Sequence, residues 1–237
     1  MKILAIDTSS KSCSVSILED KDIILEKHIN NEITHSQKLM PMIDESLKEC
    51  KLSLKDFDLF ACCIGPGSFT GVRIGVSTIK AFCDITNIPT VGINSLEALA
   101  CNTLDSNIYD KTDIICSLID AKNENVYCGI FKKETDSFTQ LEDLCAKNIN
   151  EVIQLLQKYK SSSILFVGDG AIVNKYTILQ NLSKTTFVEK ELNQQTSTSV
   201  GKLAYDKYNN GLYGDSNYLT PLYLKKSQAE RVLDGEK

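Results

Sequence analysis

The chain has 237 residues, enough for one large domain or two small ones around a sizeable core. Apolar residues make up 42% of it and charged residues 24%, which excludes a wholly disordered protein. The formal net charge of −5 argues against a surface built mainly for nucleic acid or an anionic membrane.

The cysteines show no metal-ligand or disulfide spacing. There are nine, none forms a C-x-x-C pair, and the adjacent Cys62 and Cys63 lie inside an apolar run. This distribution favours reduced thiols packed in a core, in a reducing cytoplasm. The apolar stretch before Asp7 is too short for a signal peptide, and no run is long enough to span a membrane. We therefore expect a cytoplasmic protein.

The first half of the chain alternates between strand and helix patterns. Apolar alternation predicts a three-stranded meander, and helical spacing then predicts two amphipathic helices separated by a buried strand. A fifth, short strand follows. The predicted strands cover residues 2–8, 12–19, 23–29, 57–64 and 89–93, and the predicted helices run from about Ser36 to Cys50 and from Gly71 to Thr86.

The second predicted helix is apolar on two sides. One stripe contains Val72, Val76, Ile79 and Cys83, and another contains Ile74, Ala81 and Ile85. Such a helix must be covered on both sides, either by its own chain or by a partner protein. The spacing alone leaves both alternatives open, and it does not show which stripe faces inward.

The second half repeats the order of the first in a looser form. Asn94 and Glu97 open a third helix with capping-box spacing, and two strands joined by a turn near Asn123 follow. A helix, a strand and a last helix complete the pattern, near residues 148–159, 163–171 and 197–208. The order predicts an α/β protein of two related subdomains, residues 1–108 and 109–237.

Two loops are candidates for ligand binding. Asp7, Thr8 and Ser9 follow the first strand, where open α/β sheets bind ligands, but the same residues also form ordinary polar turns. The loop "GPGSFTG" at residues 65–71 lacks the P-loop lysine and the dinucleotide-binding spacing. It either binds an anion at a helix N-terminus or forms a tight turn capped by Ser68 or Thr70.

Catalytic groups are harder to find in the sequence. His28 and His35 are the only histidines and do not make a metal site without added carboxylates. No cysteine is placed by spacing as the nucleophile of a Cys-His pair. Asp120 and Glu124 flank a predicted turn, where carboxylates are usually solvated.

Six segments in order resemble the bacterial TsaB family, once called YeaZ. They are "ILAIDTSSKSCSVSIL", "HSQKLMPMIDE", "GPGSFTGVRIGVSTIKAF", "PTVGINSLEALA", "IDAKNENVY" and "GDGA", with a fainter match at "PLYLKKSQAE". The resemblance implies two actin-like, ribonuclease-H-like subdomains with mixed sheets and flanking helices. It also implies a role in forming threonylcarbamoyladenosine next to the anticodon of tRNAs that read ANN codons. The implied partners are TsaD, the transferase, and TsaE, an ATPase, with tRNA contacted only within the complex.

The resemblance also implies that this chain is not the catalyst. The related transferase TsaD binds its metal through an H-x-x-x-H motif, and the matching positions here are Ser95 and Leu99. Serine is a poor metal ligand and leucine is none, so that metal site is absent. We therefore expect a non-catalytic subunit without a metal or cofactor, and at Asp7, Thr8 and Ser9 only a weak ligand candidate.

The family's N-terminal helices form a bundle with the transferase, and related proteins self-associate through the same face. The resemblance thus predicts a partner interface, with a homodimer through the same helices as a further option. The residues assigned to it are Leu39, Ile43, Leu47, Gly71, Val72, Gly75, Val76, Ile79 and Cys83.

Two features remain outside this prediction. Where the family often has an arginine and an acid, this chain has Lys122 and Asn125, which puts any contact through that arginine in doubt. Arg73 has no assigned role.

Two other functions remain open: a glycoprotease-like peptidase, and a stand-alone actin-like ATPase that would use Asp7 and Asp120.

Overall fold

The computed structural model describes residues 1–30, 35–104, 109 and 111–225. Its first half forms a five-stranded sheet. In chain order the strands are β1 (Lys2–Asp7), β2 (Ser12–Glu19), β3 (Asp22–Asn30), β4 (Leu59–Gly65) and β5 (Thr90–Asn94). Their order across the sheet is β3-β2-β1-β4-β5, with β1, β2 and β3 antiparallel and β4 and β5 parallel to β1.

Three helices accompany this sheet: α1 (His35–Cys50), α2 (Phe69–Thr86) and α3 (Ser95–Cys101). Ser68 is the N-cap of α2, and its hydroxyl accepts a hydrogen bond from the Gly71 N–H at 3.2 Å. Asn94 caps α3 as predicted, accepting from the Glu97 N–H. The Glu97 carboxylate, however, pairs with Lys207 at 2.9 Å, so this side chain has a tertiary partner as well.

The second sheet has the same strand order as the first. Its strands are β6 (Ile114–Asp120), β7 (Asn125–Lys133), β8 (Phe138–Gln140), β9 (Cys145–Asn148), β10 (Ile164–Val167) and β11 (Thr185–Phe187). Across the sheet they run β11-β10-β6-β7-β8, and β9 pairs with the other end of β7. An antiparallel hairpin next to parallel strands thus occurs twice, which confirms the predicted α/β class with two mixed sheets and flanking helices.

The remaining helices are α4 (Ile149–Leu156), α5 (Asp169–Val173), α6 (Lys175–Asn181) and α7 (Ser197–Asn209). The first three pack on the second sheet, and residues Val152, Ile153, Ala171 and Ile178 join its core. Helix α7 instead packs on the first sheet, where Val200 and Ala204 are fully buried beside Ile3 and Ala5.

The division into residues 1–108 and 109–237 stays a prediction, since residues 105–108, 110 and 226–237 lie outside the described part. The packing nevertheless shows that the chain after the second sheet returns to the first. Gly214 pairs with Thr90, and Leu219 is buried in the first core. The C-terminal part of the chain is therefore shared between the two halves.

Strand β1 is buried on both faces of the first sheet. Leu4 and Ile6 point to one core, formed with α1 and α2, while Ile3 and Ala5 point to the other, formed with α7. This two-residue alternation is the expected geometry of a strand covered on both sides. The loop after Asp7 consequently emerges between two helical layers.

Candidate functional site

The polar loop after β1 is tied to the rest of the chain by its own hydrogen bonds. Asp7 Oδ1 accepts from the Ser9 N–H at 2.8 Å and from Ser9 Oγ at 2.7 Å. Thr8 Oγ1 donates to the Gly71 carbonyl at 2.7 Å, and the Ser68 N–H donates to the Ser9 carbonyl, also at 2.7 Å. Asp7, Thr8 and Ser9 therefore serve as a docking point for the glycine loop.

The glycines of residues 65–71 are required by that close approach. A Cβ atom at Gly67 would lie 2.2 Å from the Ser9 carbonyl oxygen, and one at Gly71 would lie 2.0 Å from that of Thr8. One turn later, a Cβ at Gly75 would lie 2.6 Å from Thr8 Oγ1. No side chain fits in these gaps, so the loop and the start of α2 pack directly against backbone. This geometry favours a tight turn over an anion-binding loop at residues 65–71.

The Asp7 carboxyl is almost fully buried, at 2% exposure. Burial raises the pKa of this carboxyl, because the low-dielectric surroundings disfavour its charged form. Its second oxygen, Oδ2, has no hydrogen-bond partner among the described residues. A carboxyl that prefers its neutral form is a poor ligand for a metal ion.

Next to Asp7 lie a thiol and a histidine, and neither is activated for nucleophilic chemistry. Burial raises the pKa of Cys63, whose Sγ lies 3.0 Å from Ser95 Oγ. His35 Nε2 lies 2.8 Å from the Ser10 carbonyl oxygen, so the ring is held by the loop backbone. A nucleophilic cysteine needs a lowered pKa, and this environment does the opposite.

The two positions that match the transferase's histidines lie in the core. Ser95 is fully buried at the start of α3, and Leu99 is 1% exposed. Leu99 packs in the core between the two sheets, in the same cluster as Ile115 and Val167. Within the described residues, no group of three metal-ligating side chains comes together.

The structure shows which apolar stripe of α2 faces inward. Val72, Val76 and Ile79 are at most 3% exposed and pack in the core of the first sheet, and Cys83 is also buried. On α1, Leu39 and Ile43 are buried in the same core, while Leu47 is half-buried against it. Gly71 and Gly75 contact Thr8. The interface itself stays a prediction, but these buried side chains are not available to a partner, because they already contact their own sheet.

The other side of α2 carries what we call the outer stripe. It contains Thr70, Ile74, Ser77, Thr78, Ala81 and Ile85, none of which is charged. Ile85 is 73% exposed, and on α1 Met40 is 49% exposed. Arg73, Lys80 and Asp84 lie along one flank of the stripe. The outer stripe itself is therefore apolar at its end and uncharged along its length, with charged side chains on one flank.

Arg73 fastens the C-terminal part of the chain to α2. Its Nε donates to Tyr223 Oη at 2.8 Å, and the Tyr223 ring stacks on Phe69 with centroids 4.9 Å apart. The Leu222 N–H donates to the Ile64 carbonyl at 2.8 Å, so this segment also pairs with the end of β4. No sequence signal predicted this partnership, because 150 residues separate Arg73 from Tyr223.

The residues that depart from the family pattern form a local turn. Lys122 pairs with Asp120, and the Asn125 side-chain amide donates to the Asn123 carbonyl at 3.0 Å. Lys122, Asn123 and Glu124 all have positive φ, between 53° and 64°. Both departures thus serve the β6–β7 turn, and Lys122 is 77% exposed.

No helix of the described residues is long and apolar enough to cross a membrane. A family model described as TsaD, tRNA N6-adenosine threonylcarbamoyltransferase, matches residues 24–232. Several curated relatives instead carry the name tRNA threonylcarbamoyladenosine biosynthesis protein TsaB. That of Bacillus subtilis is 29% identical over 231 residues, covering 97% of this chain and 96% of the relative. That of Buchnera aphidicola from Schizaphis graminum is 35% identical over 169 residues, covering 71% and 78%.

The solved structures agree on the fold. A Pseudomonas aeruginosa protein described as similar to the peptidase YeaZ superimposes with a TM-score of 0.80 at 21% identity, covering 94% of this chain and 99% of that one. YeaZ from the same organism gives 0.76 at the same identity and coverage. These matches confirm the arrangement of two mixed sheets with flanking helices. The curated relatives and the family model together show that the chain belongs to the TsaB family, also called YeaZ.

Proposed function

We propose that this chain is a non-catalytic, activating subunit of the complex that makes threonylcarbamoyladenosine in tRNA. Its relatives are named for the biosynthesis of this nucleoside. In the proposal it binds a TsaD-like transferase and a TsaE-like ATPase in the cytoplasm, and contacts tRNA only within the complex. The net charge of −5 supports the last point, since a direct tRNA binder needs a basic surface.

The burial of Ser95 and Leu99 carries the non-catalytic part of the proposal. In the related transferase TsaD, the matching positions hold the two histidines that bind the metal. Here Leu99 is packed among core side chains, and the Ser95 hydroxyl lies 3.0 Å from the Cys63 thiol. Both positions are buried in the protein interior, and neither is open to substrate. The transferase must then come from the partner.

The outer stripe of α2 supports the partner-binding part. An interface core is depleted in charge, and small residues allow two helices to approach closely. The stripe has both properties, with Ser77, Thr78 and Ala81 in the middle and exposed Ile85 at the end. The same surface would serve a second copy of this chain when the transferase is absent.

Reconstitution tests the proposal directly. The chain is mixed with its cognate transferase and ATPase, ATP, threonine, bicarbonate and tRNA, and the modified nucleoside is quantified by mass spectrometry. We expect modification from the full mixture and none from this chain alone. An unchanged rate when this chain is omitted would refute the activating role.

A pair of variants tests the surface. Ala81→Arg places a long charge in the middle of the outer stripe, and we expect it to abolish co-elution with the transferase while the chain stays folded. The matched control is Val173→Arg, on the exposed side of α5, which is 68% exposed and far from α2 in the sequence. If Ala81→Arg binds like the control, the stripe is not the interface.

The two other functions gain no support from the site. A peptidase needs an activated nucleophile, whereas burial raises the pKa of Cys13 to about 11 and also raises that of Cys63. A stand-alone ATPase would use Asp7 and Asp120. Asp7, however, is buried and hydrogen-bonded to Ser9, and Asp120 forms an ion pair with Lys122. Nucleotide binding by the isolated chain, measured by calorimetry, would revive the second of these.

A further inference from the structure

Three cysteines that are far apart along the chain lie close together in the second sheet. Cys128 on β7 stands directly opposite Cys145 on the edge strand β9 in the antiparallel register. Cys116 on the neighbouring strand β6 completes the row: Cys116 and Cys128 belong to the core of the second sheet, and Cys145 packs against that core. The sequence shows no C-x-x-C motif, so this grouping is a product of the fold.

The two thiols of the Cys128–Cys145 pair are suitably placed for a disulfide. Directly opposed residues of antiparallel strands have Cβ atoms about 4.5–5.5 Å apart, close to the separation that a disulfide needs. Cys116 is paired with Ile130 and lies diagonal to Cys128, a longer span. Among the three, register therefore favours Cys128 with Cys145.

Access also distinguishes the members of the row. Cys116 and Cys128 are at most 1% exposed, whereas Cys145 is half-buried at the edge of the sheet. Strand β9 has only four residues and pairs on one side with β7. Short edge strands open more readily than central ones, so a reagent can reach Cys145 first and Cys128 when β9 opens.

We propose that Cys128 and Cys145 form a cross-strand disulfide when the protein meets an oxidised thiol pool. The Cys145 thiolate attacks one sulfur of a low-molecular-weight disulfide such as oxidised glutathione, breaking its S–S bond and releasing one thiol. The Cys128 thiolate then attacks the Cys145 sulfur and releases the second. Two protein thiols and one glutathione disulfide become one protein disulfide and two glutathione molecules, which carry away the two protons.

Thiol–disulfide exchange at this pair is slow at neutral pH. The hydrogen bond with Cys128 and burial raise the pKa of Cys145, so little thiolate is present and the exchange is slow. Once formed, the bond fastens β9 to β7 and restrains the turn at residues 121–124, whose Glu124 carbonyl accepts from the Ile149 N–H. Oxidation thus stiffens the edge of the second sheet.

The experiment uses the whole chain in glutathione buffers of increasing oxidised fraction, followed by alkylation, trypsin and mass spectrometry. Trypsin separates the three cysteines cleanly, because Cys116, Cys128 and Cys145 fall in peptides 112–122, 123–132 and 134–147. We expect a cross-linked 123–132 and 134–147 pair. Since the bond closes a loop, we also expect the oxidised protein to melt about 5–10 °C above the reduced one.

Matched variants complete the test. Cys145→Ser removes both the cross-link and the rise in Tm, whereas Cys50→Ser, which changes the other half-buried thiol, leaves both intact. A cross-link between peptides 112–122 and 123–132 in place of the expected one would overturn the proposal. So would free thiols in the most oxidising buffer, or a Cys50→Ser chain that no longer shows the rise.

Discussion

Two arginine substitutions on the same helix give the sharpest test of how α2 is oriented. Val76 lies on the inner stripe and is 3% exposed, while Ile85 lies on the outer stripe and is 73% exposed. Val76→Arg and Ile85→Arg therefore introduce the same side chain into the same helix. If the structure is right about the two sides, their effects on stability should differ greatly.

The expected loss for Val76→Arg has two parts. Removing a fully buried valine costs about 1.5–3 kcal/mol of hydrophobic stabilisation. Placing an arginine without an acidic partner among Leu4, Ile6 and Phe60 costs several kcal/mol more, since a buried charge must be paired. The sum exceeds about 5 kcal/mol, against a total stability of about 5–15 kcal/mol for a typical protein.

In a chain of this length each kcal/mol lowers the Tm by about 2–4 °C. Val76→Arg should therefore melt at least about 10 °C below the parent, or fail to fold. Ile85→Arg should change the Tm by no more than about 2 °C, because surface substitutions usually alter the free energy of unfolding by less than about 0.5 kcal/mol. Thermal unfolding followed by circular dichroism measures both.

Binding to the transferase then separates stability from function. Ile85→Arg should stay folded and lose pairing, whereas any loss of pairing in Val76→Arg would be confounded by the loss of stability. A Val76→Arg chain that keeps the parent Tm would refute the inward orientation of that stripe. The same result would return Val72, Val76, Ile79 and Cys83 to the candidate interface.

Two further predictions concern the loop that positions α2. Gly71→Ala should lower the Tm by about 6–12 °C, because its Cβ would lie 2.0 Å from the buried Thr8 carbonyl and overpacking costs about 3 kcal/mol or more. Gly211→Ala is the matched control, since it meets nothing within 4 Å and its positive φ alone costs about 1 kcal/mol; equal losses would contradict the close approach. Asp7→Asn should stabilise the protein at neutral pH relative to the parent. The pKa of Asp7 is higher in the folded than in the unfolded protein. The parent therefore loses stability as the pH rises from the unfolded pKa to the folded pKa, and its stability stays at the lower level above that range. Tm profiles of both proteins from acid to neutral pH measure the difference, and a constant gap would show that Asp7 does not titrate in this way.

Much of the fold follows from hydrophobic periodicity. Strands β1 to β7 and β10, and helices α1 to α4 and α7, lie where alternation and helical spacing predict them. The strand predicted at 163–171 was too long, because residues 169–171 begin α5, and neither α5 nor α6 was predicted. The missed strands β8, β9 and β11 have three or four residues each, too few for a period to show. Their pairing comes from a neighbouring strand, which a local pattern does not contain.

The orientation of α2 could not be read from its sequence for a different reason. Both stripes are apolar, so periodicity shows that two sides are covered without showing what covers each. The deciding contacts are long-range: Phe82 on the inner side lies 5.8 Å from Phe60 of β4, and Gly71 touches Thr8. Arg73 and Tyr223 illustrate the same limit, since their hydrogen bond depends on the return of the chain to the first sheet.

These contacts give the glycine-rich loop a mechanical role. Its backbone is held by the Ser9 carbonyl on one side, and its helix begins against Thr8 on the other. The stack of Phe69 on Tyr223 then fastens the first turn of α2 to the C-terminal segment. Three separate parts of the chain thus fix one helix end, and a helix held this firmly presents its outer stripe in a single orientation. Preorganisation of that kind lowers the entropy cost of docking a partner, and so supports the proposed role of the outer stripe in partner binding.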